Sequence, residues 1–405
     1  MTSPPGTGQW KSSNRPSGDK EDCMSDPQPS QVSARDRHLF APGPKRILAL
    51  DGGGVRGVVA LAFLKQIEQE LAAKAGHPVR LCDHFDLIGG TSTGAIIAVA
   101  LALGYRVDAI TEFYHRLAPL VFRSPMIRLP GWKAIFDATA LARELETVMG
   151  DRRLDTEDLQ TGVGVILKRL DTGSAWVLVN NPRSKYWETP ANQDYIGNRH
   201  YRLAQIVRAS TAAPHYFDPQ EIAIAEGVQG LFVDGGLTPH NNPALALFLA
   251  AYIPTTGLGW GTGPDKLTIV SVGAGTFRDS FKTQMLSGAA SARLALRAMI
   301  QQIGDSQQLV LTLMSLFGES PTPWAINAEL GELGSTPAPG GPLFRFLRYD
   351  IKLDQAWLQE RLGAKVSEQQ VGQMRRLDDV RSMQKLGELA AEAARRQVKT
   401  EDWGG

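Results

Sequence analysis

Ile47-Leu48-Ala49-Leu50-Asp51-Gly52-Gly53-Gly54-Val55-Arg56-Gly57 reads as a short apolar strand of the buried, parallel kind that runs straight into a glycine cluster. From Val58 the apolar residues Leu61, Leu64, Ile67 and Leu71 recur at the spacing of one helix face. The stretch therefore predicts strand, tight turn, helix. The unit repeats at once: Phe85-Asp86-Leu87-Ile88 is strand-like, Gly89 to Gly94 is a tight turn, and Ala95 to Leu101 is a helix apolar on all sides, which has to be central. Further helices are expected at about 108–122 and 139–149. Strand-like runs follow at Val163 to Leu167, Ala175 to Val179, Leu231 to Val233 and Leu267 to Val272. Strands alternating with helices predict an α/β fold with a mostly parallel central sheet and helices on both faces.

Outside this core the texture changes. Residues 1–44 are rich in Ser, Pro, Gly, Asp and Lys, bury too little apolar surface to offset the entropy of ordering, and read as a disordered tail, with Met24 as an alternative start. Beyond Phe277 long helical stretches are interrupted by the Pro- and Gly-rich segment 334–342 and the strand-like run Leu343 to Ile351, and the end, roughly Gln369 to Lys399, is a charged, Ala-rich helix. The division expected is a tail (1–44), a catalytic domain (45–276) and a mainly helical extension (277–405) packed on the core as a cap, an oligomer contact or a regulatory element. No internal repeat is present.

Across 405 residues the formal net charge is +1 and 21% of residues are charged, which excludes the global basic field that steers nucleic acid polymers. Any lipid contact has to be local. The two cysteines, Cys23 and Cys82, offer neither a disulfide framework nor metal-ligand spacing, so the reading has no metal and no cofactor, and a reducing cytosol fits best. The start lacks the pattern of a secretory signal, and no apolar run reaches the roughly 18 residues of a spanning helix. The expectation is a cytoplasmic protein, at most peripheral at the inner membrane surface.

Three glycine-rich segments carry the chemistry. Gly90-Thr91-Ser92-Thr93-Gly94, between a strand and a helix, is the pattern of a nucleophile elbow, in which flanking glycines let Ser92 sit on a sharp turn beside a helix N-terminus. The Gly52, Gly53 and Gly54 amides form a nest suited to an oxyanion. Gly52-x-Gly54-x-x-Gly57 also matches a dinucleotide fingerprint, which needs an acidic residue closing a second strand about 20 residues on. Glu68 and Glu70 fall inside the predicted helix, while Asp83 and Asp86 precede or begin the next strand. Arg56 either adds a positive charge near the nest or anchors the loop through its guanidinium. Asp234-Gly235-Gly236 follows a strand-like run, which puts a carboxylate at a strand's C-terminal edge, where it is a general base or simply a turn aspartate.

In this order, and together with Ala209-Ser210-Thr211-Ala212-Ala213-Pro214-His215-Tyr216-Phe217, these segments resemble the patatin-like phospholipase family over roughly residues 46–276. The resemblance implies the family's three-layer fold and a Ser-Asp dyad lipid acyl hydrolase, carried onto Ser92 and Asp234, with the Gly52 to Gly54 amides as oxyanion hole. Arg56, Gly57, Gly90, Gly94, Gly235 and Gly236 belong to the supporting motifs. It implies no metal, and a phospholipid or other lipid ester as substrate. An ordinary triad in the order Ser, Asp or Glu, His would have to use His240, close behind Asp234 and the last histidine of the chain; His240 reads as a turn or helix-entry residue and His215 as structural. Leu117 to Phe136 is a lid or interfacial patch, or else a buried connection. The C-terminal third, with Leu343-Phe344-Arg345-Phe346-Leu347-Arg348-Tyr349-Asp350, resembles bacterial patatin-like proteins that include nucleotide-activated phospholipases, although no ligand-binding motif is legible. A nucleotide-switched effector and a dinucleotide-binding oxidoreductase are therefore the competing classes.

Overall fold

The computed structural model describes residues 32–122, 136, 138–278, 291–334, 336 and 338–403, and of residues 291–297, 299 and 300 the backbone alone. The strands are β1 (Lys45–Leu50), β2 (Leu87–Thr91), β3 (Gly162–Arg169), β4 (Ala175–Val179), β5 (Gln220–Ala225), β6 (Val228–Asp234), β7 (Leu267–Val272), β8 (Gly318–Thr322), β9 (Ala325–Asn327), β10 (Gly331–Glu332) and β11 (Phe344–Tyr349). The helices are α1 (Ala34–Phe40), α2 (Gly57–Ala75), α3 (Leu81–His84), α4 (Thr93–Ala102), α5 (Val107–Val121), α6 (Ala138–Met149), α7 (Leu203–Ser210), α8 (Ala244–Tyr252), α9 (Ser291–Phe317), α10 (Gln355–Leu362), α11 (Glu368–Met374) and α12 (Met383–Gln397).

The main sheet runs β5-β6-β3-β2-β1-β7-β11-β8, with β4 also on β3. From β3 to β8 every pairing along this path is parallel, while β4, β5 and β6 pair antiparallel. The alternation of β1 explains the layers. Leu48 and Leu50 pack with Val270, Val272, Leu347 and residues of α2, α5 and α12, whereas Ile47 and Ala49 face α1, α8 and α9 on the other side. Chain order reverses around β1, since β2 lies on one side and β7 on the other, so the loops after β1 and β2 open into the crevice where ligands of open α/β sheets collect.

One irregularity decides where the site forms. Residues 164–166 of β3 pair with both β2 and β4, which therefore occupy opposite edges; residues 167 and 168 pair with both β4 and β6, so β6 shares the β2 edge. There β2 ends at Thr91, opposite Ile166, and β6, running the other way, ends at Asp234, opposite Leu167. The two strands meet head to head.

Three expectations change. The second turn is much tighter than Gly89 to Gly94, because Gly89, Gly90 and Thr91 continue the ladder with β1 and β3 and only Ser92 breaks it. The tail is not wholly irregular: Ser33 caps α1, its Oγ accepting the Asp36 N–H at 3.1 Å, and Leu39 is buried against Gly162 and Leu87 with its carbonyl accepting from Trp260 Nε1 at 2.9 Å. Residues 1–31, including Cys23 and Met24, lie outside the described residues. The segment after 277 does more than pack helices on a finished core, since β11 pairs in register with β7 and residues 33–405 form one unit. Of Leu117 to Phe136, Leu117, Val121 and Phe136 are buried, while 123–135 lie outside the described residues.

Candidate active site

Ser92 stands between β2 and α4 at φ 55° and ψ −125°, a conformation that non-glycine residues adopt only when their surroundings enforce it, at a cost of about 1–3 kcal/mol. The flanking glycines follow from close approach: a Cβ at Gly90 would lie 2.1 Å from the Gly94 carbonyl oxygen, and one at Gly94 would lie 2.4 Å from that of Leu50. The Ser92 hydroxyl donates to Asp234 Oδ2 at 2.6 Å, and Asp234 Oδ1 accepts the Gly236 N–H at 2.7 Å. Both carboxylate oxygens are thereby fixed. Burial pushes the Asp234 carboxyl up to about 6, against the opposing pull of the Ser92 hydroxyl, the Gly236 amide and the Arg208 charge. This makes it a stronger base than an exposed aspartate.

The glycine loop lies alongside. Gly52 donates its N–H to the Asn241 carbonyl at 3.1 Å, which removes it from the expected set of three oxyanion donors. Gly53 N–H meets Thr93 Oγ1 at 3.2 Å, and Gly54 N–H has no partner among the described residues. Gly54 has φ +56°, and a Cβ there would come within 2.3 Å of the Leu377 carbonyl oxygen, which itself accepts from Val55 N–H at 2.9 Å. Tyr114 donates to the Gly54 carbonyl. Arg56 is buried and acts as an anchor: its Nε donates to Gly53 O at 3.3 Å and its Nη1 to Gly275 O at 2.7 Å.

Beneath the loop, Asp51 holds Arg348 of β11 in a two-pronged pair, with Nη1 to Oδ1 at 3.2 Å and Nη2 to Oδ2 at 2.8 Å, and the same Nη2 reaches Asp350 Oδ2 at 2.7 Å. All three side chains are at most 1% exposed. Gln307 of α9 adds a donor to Asp51 Oδ2 at 2.6 Å. Burial raises the Asp51 carboxyl to about 6 despite Arg348; burial alone would lower the Arg348 value, but the two carboxylates hold it well above the usual range.

Sequence reasoning assigned no role to Ser210, at the end of α7. Its Oγ accepts the Ser92 N–H at 2.9 Å and donates to the Ile166 carbonyl at 2.6 Å, tying the elbow to β3. Between Arg208 and Thr211 its hydroxyl carried no distinguishing local signal. Ser210→Ala leaves that N–H buried without a partner, and the expected loss is about 1–3 kcal/mol, read as a lower denaturation midpoint in urea. Neither His240 nor His215 hydrogen-bonds Ser92 or Asp234. His240 Nδ1 is buried without a partner among the described residues, and His215, at φ 75°, packs edge-on to Tyr216.

Ser92, Asp234, Gly53 and Gly54 open onto one cavity of about 1550 Å³. Ile96, Leu117, Val121, Phe122, Phe217 and Leu237 make one wall apolar. Among the described residues no group of three His, Cys, Asp or Glu side chains is placed to share a metal ion, and no helix is long and apolar enough to cross a membrane.

The family model described as patatin-like phospholipase matches residues 48–248. The chain is 31% identical over 278 residues to a cUMP-AMP-activated phospholipase of Escherichia coli, covering 68% of this chain and 79% of that one. It is 31% identical over 223 residues to a cGAMP-activated phospholipase of Escherichia coli strain TW11681, with 54% of this chain and 58% of that protein covered. Calcium-independent phospholipase A2-gamma of Mus musculus is 30% identical over 352 residues, which span 84% of this chain but 40% of the mouse protein. With its α/β architecture and these relatives, the chain is a hydrolase that belongs to the patatin-like phospholipase family.

Proposed function

We propose that the protein cleaves acyl ester bonds of glycerophospholipids, with Ser92 as nucleophile and Asp234 as general base, residues 45–276 carrying the catalytic machinery. The reading rests on the 2.6 Å hydrogen bond from Ser92 Oγ to a buried, base-strengthened carboxylate at a strained elbow. As Ser92 Oγ bonds to the ester carbon, its proton passes to Asp234 Oδ2, and the carbonyl oxygen gains charge that the Gly54 N–H, with Gly53 beside it, receives. Collapse breaks the carbon–oxygen bond to glycerol. The departing alkoxide takes the proton back from Asp234, leaving an acyl-enzyme that water, deprotonated by the same carboxylate, converts to fatty acid and free Ser92. A lipid substrate implies peripheral contact with a lipid surface, and the apolar wall is suited to the acyl chain.

A fluorophosphonate probe is expected to label wild type at Ser92 and to leave Ser92→Ala unlabelled, as read by intact-protein mass spectrometry. Equal labelling of the two overturns the assignment. Ligand switching is a second reading, supported by the names of the two Escherichia coli relatives and by the contact of Leu377, near the chain's end, with Gly54. It requires that cyclic dinucleotides raise the hydrolytic rate of the purified protein.

A further inference from the structure

The cavity is larger than the roughly 300–1,000 Å³ typical of small-ligand pockets, and its lining combines apolar side chains with cations. Arg278, Lys352 and Arg375 are among the residues that line it. None of the three forms an ion pair with a carboxylate among the described residues. Arg278 Nη2 donates to Gln308 Oε1 at 2.9 Å, Lys352 Nζ donates to the Ala325 carbonyl at 2.9 Å above the Trp324 ring, and Arg375 Nε donates to the Leu353 carbonyl at 2.9 Å. Arg376, by contrast, is neutralised by Asp378 at 3.1 Å. Asp305 and Asp354 also line the cavity, the latter with Oδ1 held by the Trp357 N–H. Lys352 is partly buried, and its burial with the Arg278 charge lowers its pKa against the opposing pull of Glu332 and Asp350, neither of which is close enough to pair with it.

The three side chains are fixed to the reacting centre by backbone. Residues 273–276 and 349–353 run side by side past the ends of β7 and β11, with Gly273 N–H on Tyr349 O at 2.9 Å and Leu353 N–H on Thr276 O at 2.8 Å, which brings Arg278 and Lys352 to neighbouring ends. Gly275 is tied to Arg56, and Leu377 to Val55, so Arg278 and Arg375 each lie within a few residues of a contact with the glycine loop. Arg56 and Arg375 both stack on Phe277, at 4.9 and 5.6 Å from the ring centre.

We propose that Arg278, Lys352 and Arg375 form a phosphodiester-binding subsite in the catalytic cavity, specific for the ionised phosphate of a ligand. It rests on the hydrolase reading above, and names the feature of the substrate recognised beyond the ester. Guanidinium forks pair bidentately with phosphate oxygens and the Lys352 ammonium adds a point charge, so the three groups together suit a phosphodiester with two free oxygens. The apolar side chains of the same cavity take the hydrocarbon part.

The test compares dioctanoyl phosphatidylcholine with uncharged dioctanoylglycerol in the same detergent micelles. In the Arg278→Gln/Lys352→Met double variant the ratio of kcat/KM for phospholipid over neutral lipid is expected to fall about tenfold or more, and the charge-conserving Arg278→Lys/Lys352→Arg pair is expected to restore most of it. A parallel arm titrates Ser92→Ala protein with glycerophosphocholine by calorimetry, with binding expected to weaken as salt rises and to vanish in the charge-removed background. Glycerophosphocholine that competes with phospholipid assigns the subsite to the headgroup; one that binds and accelerates hydrolysis assigns it to a free phosphodiester, and both support it. An unchanged ratio in the charge-removed variant, with no binding of glycerophosphocholine, overturns it. Wild type that hydrolyses neither lipid defeats the hydrolase reading instead, and the calorimetric arm still decides the subsite.

Discussion

Asp234→Asn is expected to remove turnover and, at neutral pH, to make the folded chain more stable. The amide keeps the shape of the carboxylate, accepts the Gly236 N–H and still faces the Ser92 hydroxyl, but it cannot take a proton, and loss of a general base lowers the rate by about 10²–10⁴. The stability gain follows from the sign of the shift. The folded-state value of about 6 lies above the ordinary 3.8, so the folded chain binds this proton more tightly than the unfolded chain. Below about pH 4 both states are neutral and the carboxyl imposes no penalty; the penalty grows between about 4 and 6 and is complete above that range, at about 3 kcal/mol or less. Urea melts of wild type and Asp234→Asn should therefore coincide in acid and separate as pH rises. The rate profile of wild type is expected to carry an acid limb near the same value, and His240→Ala is expected to retain activity because its ring hydrogen-bonds neither member of the pair. A folded His240→Ala as inactive as Asp234→Asn would mean that an imidazole lies on the proton path.

The largest loss of stability is expected at Arg348. Removing its guanidinium in Arg348→Met leaves Asp51 and Asp350 without the cation that hydrogen-bonds them both, with only the Arg56 charge nearby among the described residues, in a region where each is at most 1% exposed. Breaking one partner of a buried pair in this way costs about 3–5 kcal/mol. The deficit should shrink as pH falls, because the Asp51 carboxyl, already raised by burial, takes up a proton in the folded state and becomes neutral. Adding Asp51→Asn and Asp350→Asn to Arg348→Met should recover much of the loss at neutral pH, measured by denaturant midpoint. A single variant as stable as wild type would mean that the triad carries no net stability.

The strand–turn–helix units were legible because both periods are written in local residues, Ile47 to Leu50 followed by Leu61, Leu64, Ile67 and Leu71. Gly89-Gly90-Thr91 was misread as turn because glycine signals both bends and close backbone approach, and only the presence of β1, β3 and the Gly94 carbonyl tells which applies. Ser92 and Asp234 could be nominated from motifs, but their meeting depends on β6 sharing an edge of β3 with β2, a register that neither motif contains. Ser210 and Arg348 were beyond local reading for the same reason: each acts on a residue more than a hundred positions away, through a hydrogen bond visible only once the sheet is assembled. The Gly54 amide, without a partner among the described residues, and the commitment of Gly52 to Asn241 likewise separate three glycines that look alike in sequence.

The head-to-head meeting of β2 and β6 turns β3 into a ruler. Thr91 is set against Ile166 and Asp234 against Leu167, so the gap between hydroxyl and carboxylate is measured along one continuous ladder, and no loop has to be cut to length to define it. Connections between β3 and β6 can lengthen or shorten without touching that spacing. A single residue added inside β3 between the two marks would instead part the groups by a full strand step, about 3.3 Å, beyond the reach of any hydrogen bond. Tolerance of variation and intolerance of it thus lie next to each other along the same few residues.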